Sequence, residues 1–232
     1  MASESPELTV AIPAYREEEN LRILLPRLNK VLNGTGLSFE IVIVDTENPL
    51  DNTADACSTN HVRCERRRGG NMYGDAVRTA IAQARGKYLL FMDADGSHTP
   101  EYLPELIKFR GQYDVVGASR YISGGDTENP WVLILMSRIV NIVYSLVLGI
   151  KCKDVSNSFK LYRTEQMKDL SLRCENFDII EEILFKLNRR FKITIFEVPF
   201  TFKKRMFGES KRSLVAFIVT YVITLLKLRF GK

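Results

Sequence analysis

Apolar residues in the first half of this chain fall into short continuous runs separated by stretches of helical spacing. Leu8 to Ile12 is an apolar run closed by Pro13, the pattern of a buried strand. From Glu17 to Leu32 the apolar positions Leu21, Leu24, Leu25, Leu28, Val31 and Leu32 recur at helical intervals. Phe39 to Val44 is rich in β-branched residues, predicts a second strand and ends at Asp45. A helix is expected to begin at Ala54 to Cys57, with Asp51 or Thr53 as its cap. Gly74 to Ala84 predicts another helix, stopped by Gly86, and Tyr88 to Met92 a third strand that delivers Asp93. Pro100 to Phe109 reads as helix and Asp114 to Ala118 as a fourth strand. Strands alternating with helices imply parallel pairing, hence an α/β fold with a doubly wound sheet. Ligands of such sheets bind beyond the carboxyl ends of the strands. Pro13-Ala14-Tyr15, Asp45 and Asp93-Ala94-Asp95 are therefore expected on one edge.

The second half changes character. Trp131 to Ile150 is mostly apolar, over about twenty residues, the length of a membrane span. Arg138 and Asn141 interrupt it, and both are costly in hydrocarbon. An amphipathic helix at a protein or bilayer surface is the expectation. Phe177 to Leu187 predicts a helix, Lys192 to Val198 a strand, and Ser213 to Leu228 a final helix with Lys227 and Arg229 at its end. The expected organisation is one domain over 1–212, which includes the 131–150 helix, followed by a membrane-associating helix over 213–232.

Charge narrows the partners. The chain has 232 residues, a net charge of +5 and a pI near 9.0. That balance suits a nucleotide, a lipid phosphate or a membrane surface. Nucleic acid would rest on charge alone and is not adopted. The four cysteines lack metal-ligand spacing, and reduced thiols are expected. The opening MASESPELTV has neither the basic start nor the apolar stretch of a signal peptide, which places the expected active domain on the cytoplasmic side.

Candidate chemistry centres on Asp93 and Asp95. Two carboxylates one residue apart in a turn can face one divalent cation, and oxygen ligands suit Mg²⁺ or Mn²⁺. The same two aspartates could instead cap the helix that follows Ser97 and His98. Asp45, at a strand end, can accept from a base or ribose, or can cap its own loop. Basic residues gather at Arg63, Arg66, Arg67 and Arg68, at Arg120 and Arg138, and at Lys203, Lys204, Arg205 and Lys211. Guanidinium forks fit phosphate oxygens, although several of these side chains, Lys203 and Lys204 among them, are expected to be merely solvated. His61 and His98 lack a third ligand partner, which argues against zinc; His98 reads as a turn residue.

Several segments, taken in order, resemble family-2 glycosyltransferases of the GT-A fold, most closely the polyprenyl-phosphate (dolichol-phosphate) mannose synthases. They are VAIPAYREEENL (Val10 to Leu21), EIVIVD (Glu40 to Asp45), YGDAVRTAIAQARGKYLLFMDADGSHTPE (Tyr73 to Glu101), GASRYISGG (Gly117 to Gly125), SRIVNIVYSLVLGIKCKDVSNSFKLYR (Ser137 to Arg163) and EVPFTFKKRMFGESK (Glu197 to Lys211). The resemblance implies an inverting, metal-dependent transfer of a hexose from a nucleotide-sugar, GDP-mannose favoured, to dolichyl or undecaprenyl phosphate at the cytoplasmic face of a membrane. Pro13, Tyr15, Glu17 and Asp45 would hold the nucleoside. Asp93, Asp95 and Ser97 would surround Mg²⁺ or Mn²⁺ and the diphosphate. Arg120, Arg138, Arg205 and Lys211 would meet donor or acceptor phosphates. Asp154 and Ser156 lie in an acceptor-side motif, and Glu181, or Glu182 after a one-residue shift, matches a glutamate of the following helix. An anionic phosphate acceptor needs no strong base; a hydroxyl acceptor would make Asp154 or Glu181 the base.

The chain departs from the family where DDGSxDGT is replaced by DTENPLDNT (Asp45 to Thr53), TSGF by VSNSF (Val155 to Phe159), and the glycine-aromatic pattern by CENFDIIEEIL (Cys174 to Leu184). These changes leave open a UDP-sugar donor, a hydroxyl acceptor, or a catalytically silent membrane-docking module.

Overall fold

The computed structural model describes residues 5–207 and 214–230. The chain opens with β1 (Leu8–Pro13), α1 (Glu18–Asn33), β2 (Phe39–Asp45), α2 (Thr53–Thr59), β3 (Arg63–Arg66), α3 (Tyr73–Gln83) and β4 (Tyr88–Phe91). A 3₁₀ turn over Pro100–Tyr102 leads into α4 (Leu103–Lys108), followed by β5 (Val115–Ser119) and a two-residue strand β6 (Asp126–Thr127). Then come α5 (Trp131–Leu148), β7 (Lys160–Arg163), α6 (Thr164–Lys168), α7 (Ile179–Phe191), β8 (Ile195–Pro199), β9 (Thr201–Phe202) and α8 (Leu214–Phe230).

Seven strands form one sheet in the order β3-β2-β1-β4-β7-β5-β8. Every pair is parallel except those of β7, which runs antiparallel between β4 and β5. β1 lies inside the sheet and is wholly buried. Its alternating side chains feed two cores: Leu8, Val10 and Ile12 pack with the apolar stripe of α1, and Ala11 joins Val42 and Val44 with Ala76, Val77 and Ala80 of α3. Burial on both faces is why these strands read as unbroken apolar runs.

The expected strands and helices occur with shifted ends, and four strands are additions. β3 and β7 extend the main sheet, while β6 and β9 pair in a small second one. The cap of α2 is Asn52 and not Asp51 or Thr53. Asp51 instead joins two helix starts, because its Oδ1 accepts from the Thr53 amide at 3.0 Å and its Oδ2 from the Glu18 amide at 3.0 Å.

The segment expected to be amphipathic is α5, which ends at Gly149 with φ 65°, a left-handed conformation suited to glycine. Only Asn141, Tyr144 and Leu148 of α5 are buried. Trp131, Leu135, Ile139, Ile142 and Leu146 point outward, with Leu146 76% exposed. α5 is the one helix, among the described residues, long and apolar enough to cross a membrane. α8 lies against it, the Tyr144 hydroxyl donating to the Tyr221 carbonyl at 2.6 Å, and is tied to the start of α7 by Thr224, which donates to Asp178. Val222, Ile223, Leu226 and Phe230 leave a second apolar face exposed on α8.

Candidate active site

β1, β2 and β4 are neighbours in parallel register, so their carboxyl ends open on one rim. β4 delivers Asp93 and Asp95 there. The Asp93 amide donates to Nδ1 of His98 at 2.9 Å. His98 is fully buried and stacked on Phe159 with ring centroids 4.7 Å apart, which makes it an internal anchor of the turn. Gly96 reverses the chain at φ 80°, where a side chain would be strained and would run into Met206. Ser97 then folds back, its amide and hydroxyl donating to Oδ1 of Asp95 at 3.0 and 2.5 Å. Arg205 donates to the other oxygen, Oδ2, at 2.8 Å. Oδ1 of Asp93 accepts from the Ser158 hydroxyl at 3.0 Å.

Burial raises the Asp95 carboxyl, but the Ser97 bonds and nearby positive charge, including Arg205, outweigh it and hold the group below the ordinary carboxylate value. Glu17, from the loop after β1, senses the same pair. Burial pushes it up, the Asn20 amide and Arg205 oppose, and the charges of Asp95 and Asp93 add to the push. The β1 and β4 loops therefore share one electrostatic field.

This donor set fits a hard cation completed by its ligand. Arg205 already places a positive charge on Asp95. No cluster of three His, Cys, Asp or Glu ligands occurs among the described residues. Mg²⁺-type ions are commonly held by one or two carboxylates plus phosphate oxygens. Ser97, expected beside the metal, is buried with its hydroxyl turned to Asp95, so it braces that carboxylate.

The neighbouring strand end, expected to hold the nucleoside, is built around Asp45. Asp45 is buried; its Oδ1 accepts from the Thr46 amide at 2.8 Å and its Oδ2 from Arg66. Arg67 donates to the carbonyls of Ala14 and Asn71, and its guanidinium lies 5.9 Å from the Tyr15 ring. Tyr15 itself is 38% exposed, an aromatic face at the mouth. The basic cluster read from sequence is thus largely committed within the protein. Arg63 pairs with Glu40 and Glu65, Arg66 with Asp45, and Arg67 is buried against main chain.

Across the rim, Arg120 and Asp154 form a buried pair. The Arg120 amide and Nε donate to Oδ2 of Asp154 at 2.9 and 2.8 Å, and Nη2 donates to Oδ1 at 2.7 Å. Nη2 also reaches the hydroxyls of Ser156 at 3.2 Å and Ser137 at 3.4 Å. The Tyr121 ring is within cation–π range of Arg120 and of Arg138, at 5.0 and 5.3 Å. The loop carrying Asp154 is fixed from two more sides. Glu197 accepts from the amides of Lys153 and Asp154 at 2.8 and 3.0 Å. The buried Lys160 ammonium donates to the carbonyls of Asp154, Val155 and Asn157. Tyr121, Ser158, Lys160 and Glu197 carry no sequence signal of their own beyond the placing of Lys160 between Phe159 and Leu161.

Neither candidate base is free to take a proton from an acceptor. Asp154 has both oxygens engaged by Arg120. Glu181 is wholly buried on α7. Glu182, the alternative after a one-residue shift, accepts from the amides of Arg173 and Cys174 and pairs with Lys186. Lys211 lies outside the described residues.

Burial pushes Glu181 up to about 8, Asp178 adds to the push, and Lys160 and Tyr221 work against it. An unfolded chain loses this proton near the ordinary value of 4.5, whereas the folded chain keeps it to about 8. Stability therefore falls as pH rises through that window and levels off above it. Glu181→Gln is expected to flatten this slope, so its gain over wild type should be larger at about pH 8 than at about pH 5. Urea midpoints at both values check it; equal gains would mean that Glu181 ionises normally in the fold.

The sequence model for glycosyl transferase family 2 matches residues 9–171. A dolichol-phosphate mannosyltransferase of Pyrococcus furiosus is 35% identical over 213 residues, which are 88% of this chain and 59% of that protein. The chain thus spans little more than half the length of that relative. An undecaprenyl-phosphate mannosyltransferase of Micrococcus luteus is 30% identical over 215 residues, covering 87% of this chain and 86% of its own. Among solved structures, glucosyl-3-phosphoglycerate synthase from Mycobacterium tuberculosis, in complex with Mn²⁺, UDP and glucosyl-3-phosphoglycerate, matches with a TM-score of 0.73. That match covers 97% of this chain and 80% of the other at 16% identity, a likeness of fold.

Proposed function

The chain belongs to glycosyl transferase family 2, and on that premise we propose that it transfers a hexose, mannose from GDP-mannose in the favoured case, to a polyprenyl phosphate at the cytoplasmic face of a membrane. One observation carries the reading. The aspartates that follow β4, with Arg205 on Asp95, share a rim with Tyr15 and Glu17, while Arg120 stands beside α5 and Arg138 upon it, a helix whose outer face is apolar. Donor chemistry and a lipid-compatible surface are thus adjacent.

Asp93 and Asp95 would hold Mg²⁺ or Mn²⁺ together with the donor diphosphate. Such an ion supplies positive charge to the departing nucleoside diphosphate. The chain's own residues do the rest. Tyr15 offers a ring to the nucleoside, and the Asp45–Arg66 pair presents fixed polar groups beside it. Arg205 adds a permanent positive charge where the leaving oxygen develops its negative one. Arg120 and Arg138 receive the acceptor phosphate, with the Ser156 and Ser137 hydroxyls at the same guanidinium. An acceptor phosphate oxygen attacks the anomeric carbon in line as the bond to the diphosphate breaks, which inverts the centre. A phosphate acceptor is already an anion, so the engagement of Asp154 costs the reaction nothing.

Association with the bilayer is peripheral in this reading. The outward faces of α5 and α8 supply apolar contact, and Lys227 and Arg229 attract anionic headgroups. Residues 213–232 act as the membrane-associating appendage of the catalytic unit over 1–212.

The test is a donor screen with purified protein, polyprenyl phosphate in detergent, and Mn²⁺ or Mg²⁺. Sugar from labelled GDP-mannose should move into the organic phase as an acid-labile lipid. A UDP-sugar as the sole productive donor would change the donor assignment. No lipid-linked product from any donor would overturn the acceptor assignment and redirect the search to hydroxyl acceptors.

A further inference from the structure

α5 faces two environments. Its outer side is apolar and exposed, and its inner side buries only Asn141, Tyr144 and Leu148. Leu148 joins the core, and Tyr144 holds α8. Asn141 alone of the three reaches the acceptor-side loop. Its Nδ2 donates to the carbonyl of Ser137 at 2.9 Å and to the Ser137 hydroxyl at 3.3 Å. Its Oδ1 accepts from the Ser156 amide at 2.9 Å. Both serines also meet Nη2 of Arg120 through their hydroxyls. Asn141, Ser137, Arg120 and Ser156 thus close a ring of hydrogen bonds, and Arg138 sits one residue beyond Ser137.

A buried amide in the middle of an otherwise apolar helix is costly unless each of its polar atoms is used. Here its acceptor and its donor side go to different elements, the loop and the helix. We propose that Asn141 is a positioning residue for the acceptor phosphate: it sets the register of the lipid-facing helix against the loop of Ser156, and so aims Arg120 and Arg138 at one point. The inference rests on the lipid-phosphate reading above and deepens it. The arginines bind; Asn141 fixes where they stand relative to the surface on which the lipid arrives.

The experiment compares Asn141→Ala with wild type under the donor screen conditions. It separates KM for polyprenyl phosphate from KM for the donor, with calorimetric GDP binding in the presence of Mn²⁺ as a second readout. Loss of the ring is expected to raise the acceptor KM about tenfold, the scale of one buried hydrogen-bonded link, with donor KM and GDP affinity within about twofold. Tyr144→Phe, which removes a bond of the same helix to α8, should leave the acceptor KM unchanged. If Asn141→Ala no longer binds GDP, Ser137→Ala decides, because it opens the ring on its exposed side and should raise the acceptor KM alone. An unchanged acceptor KM in the folded variant, or equal losses for donor and acceptor, would overturn the positioning role while leaving the enzyme assignment intact. Wild-type protein that makes no lipid product would instead remove the acceptor assignment, and this inference with it.

Discussion

Asp95→Ala is expected to lower sugar transfer by about two to three orders of magnitude, the usual cost of losing preorganised positive charge at a developing anion, because Asp95 holds Arg205 there and would hold the divalent ion. The loss should fall on kcat more than on donor KM, because in the proposed mechanism the carboxylate holds positive charge where the diphosphate departs and not where the base is held. Three contacts converge on this side chain: the Ser97 amide, the Ser97 hydroxyl and Arg205. Asp95→Asn keeps the shape and still loses the charge, so it should fall nearly as far as the alanine variant. Removing divalent ions with EDTA should give a comparable loss in wild type, reversed by added Mn²⁺, and little further loss in Asp95→Ala. Initial rates with and without chelator check all of this. Transfer that survived both treatments would take the carboxylate pair out of the mechanism. Asp169→Asn is the matched control, since it removes an exposed partner of Arg190 in the last turn of α7.

The parts of the molecule that could be read from the sequence are those whose cause is local. β1, β2 and β4 are apolar on both faces, and α1 carries a continuous apolar stripe, so their periodicity survives without tertiary knowledge. β3 had no such signal. Its residues, Arg63-Cys64-Glu65-Arg66, are half-buried at the sheet edge, held by main-chain pairing with β2 and by the Arg63 and Arg66 ion pairs. β7 is four residues long and antiparallel, which an alternating strand–helix pattern cannot announce. The site shows the same division. The aspartate pair stood out by spacing, and the order of the strands placed it beside Tyr15. What each arginine meets was not legible, because Arg205 closes on Asp95 across 110 positions and Arg120 on Asp154 across 34. Only the folded sheet brings those stretches together.

The largest effect on stability is expected at that second pair. Asp154→Asn keeps the volume of the side chain and removes the charge facing Arg120, whose side chain is 10% exposed against 0% for Asp154. A guanidinium left buried without its carboxylate typically costs about 3–5 kcal/mol. At about 2–4 °C per kcal/mol for a domain of this size, the midpoint should drop by roughly 10 °C. The pH dependence gives the sign. Burial raises the Asp154 carboxyl, but the charge and hydrogen bonds of Arg120 prevail and hold it below the ordinary value of 3.8. The pair therefore contributes fully above that value and fades as pH falls through the depressed one. The gap between wild type and variant should be wide at neutral pH and close in strong acid, as thermal melts across pH will record. A gap that stayed constant to low pH would mean that the variant fails by shape and not by charge. In either case Arg120 keeps its neutral partners, the Ser137 and Ser156 hydroxyls and the Tyr121 and Phe202 rings, none of which replaces the carboxylate charge.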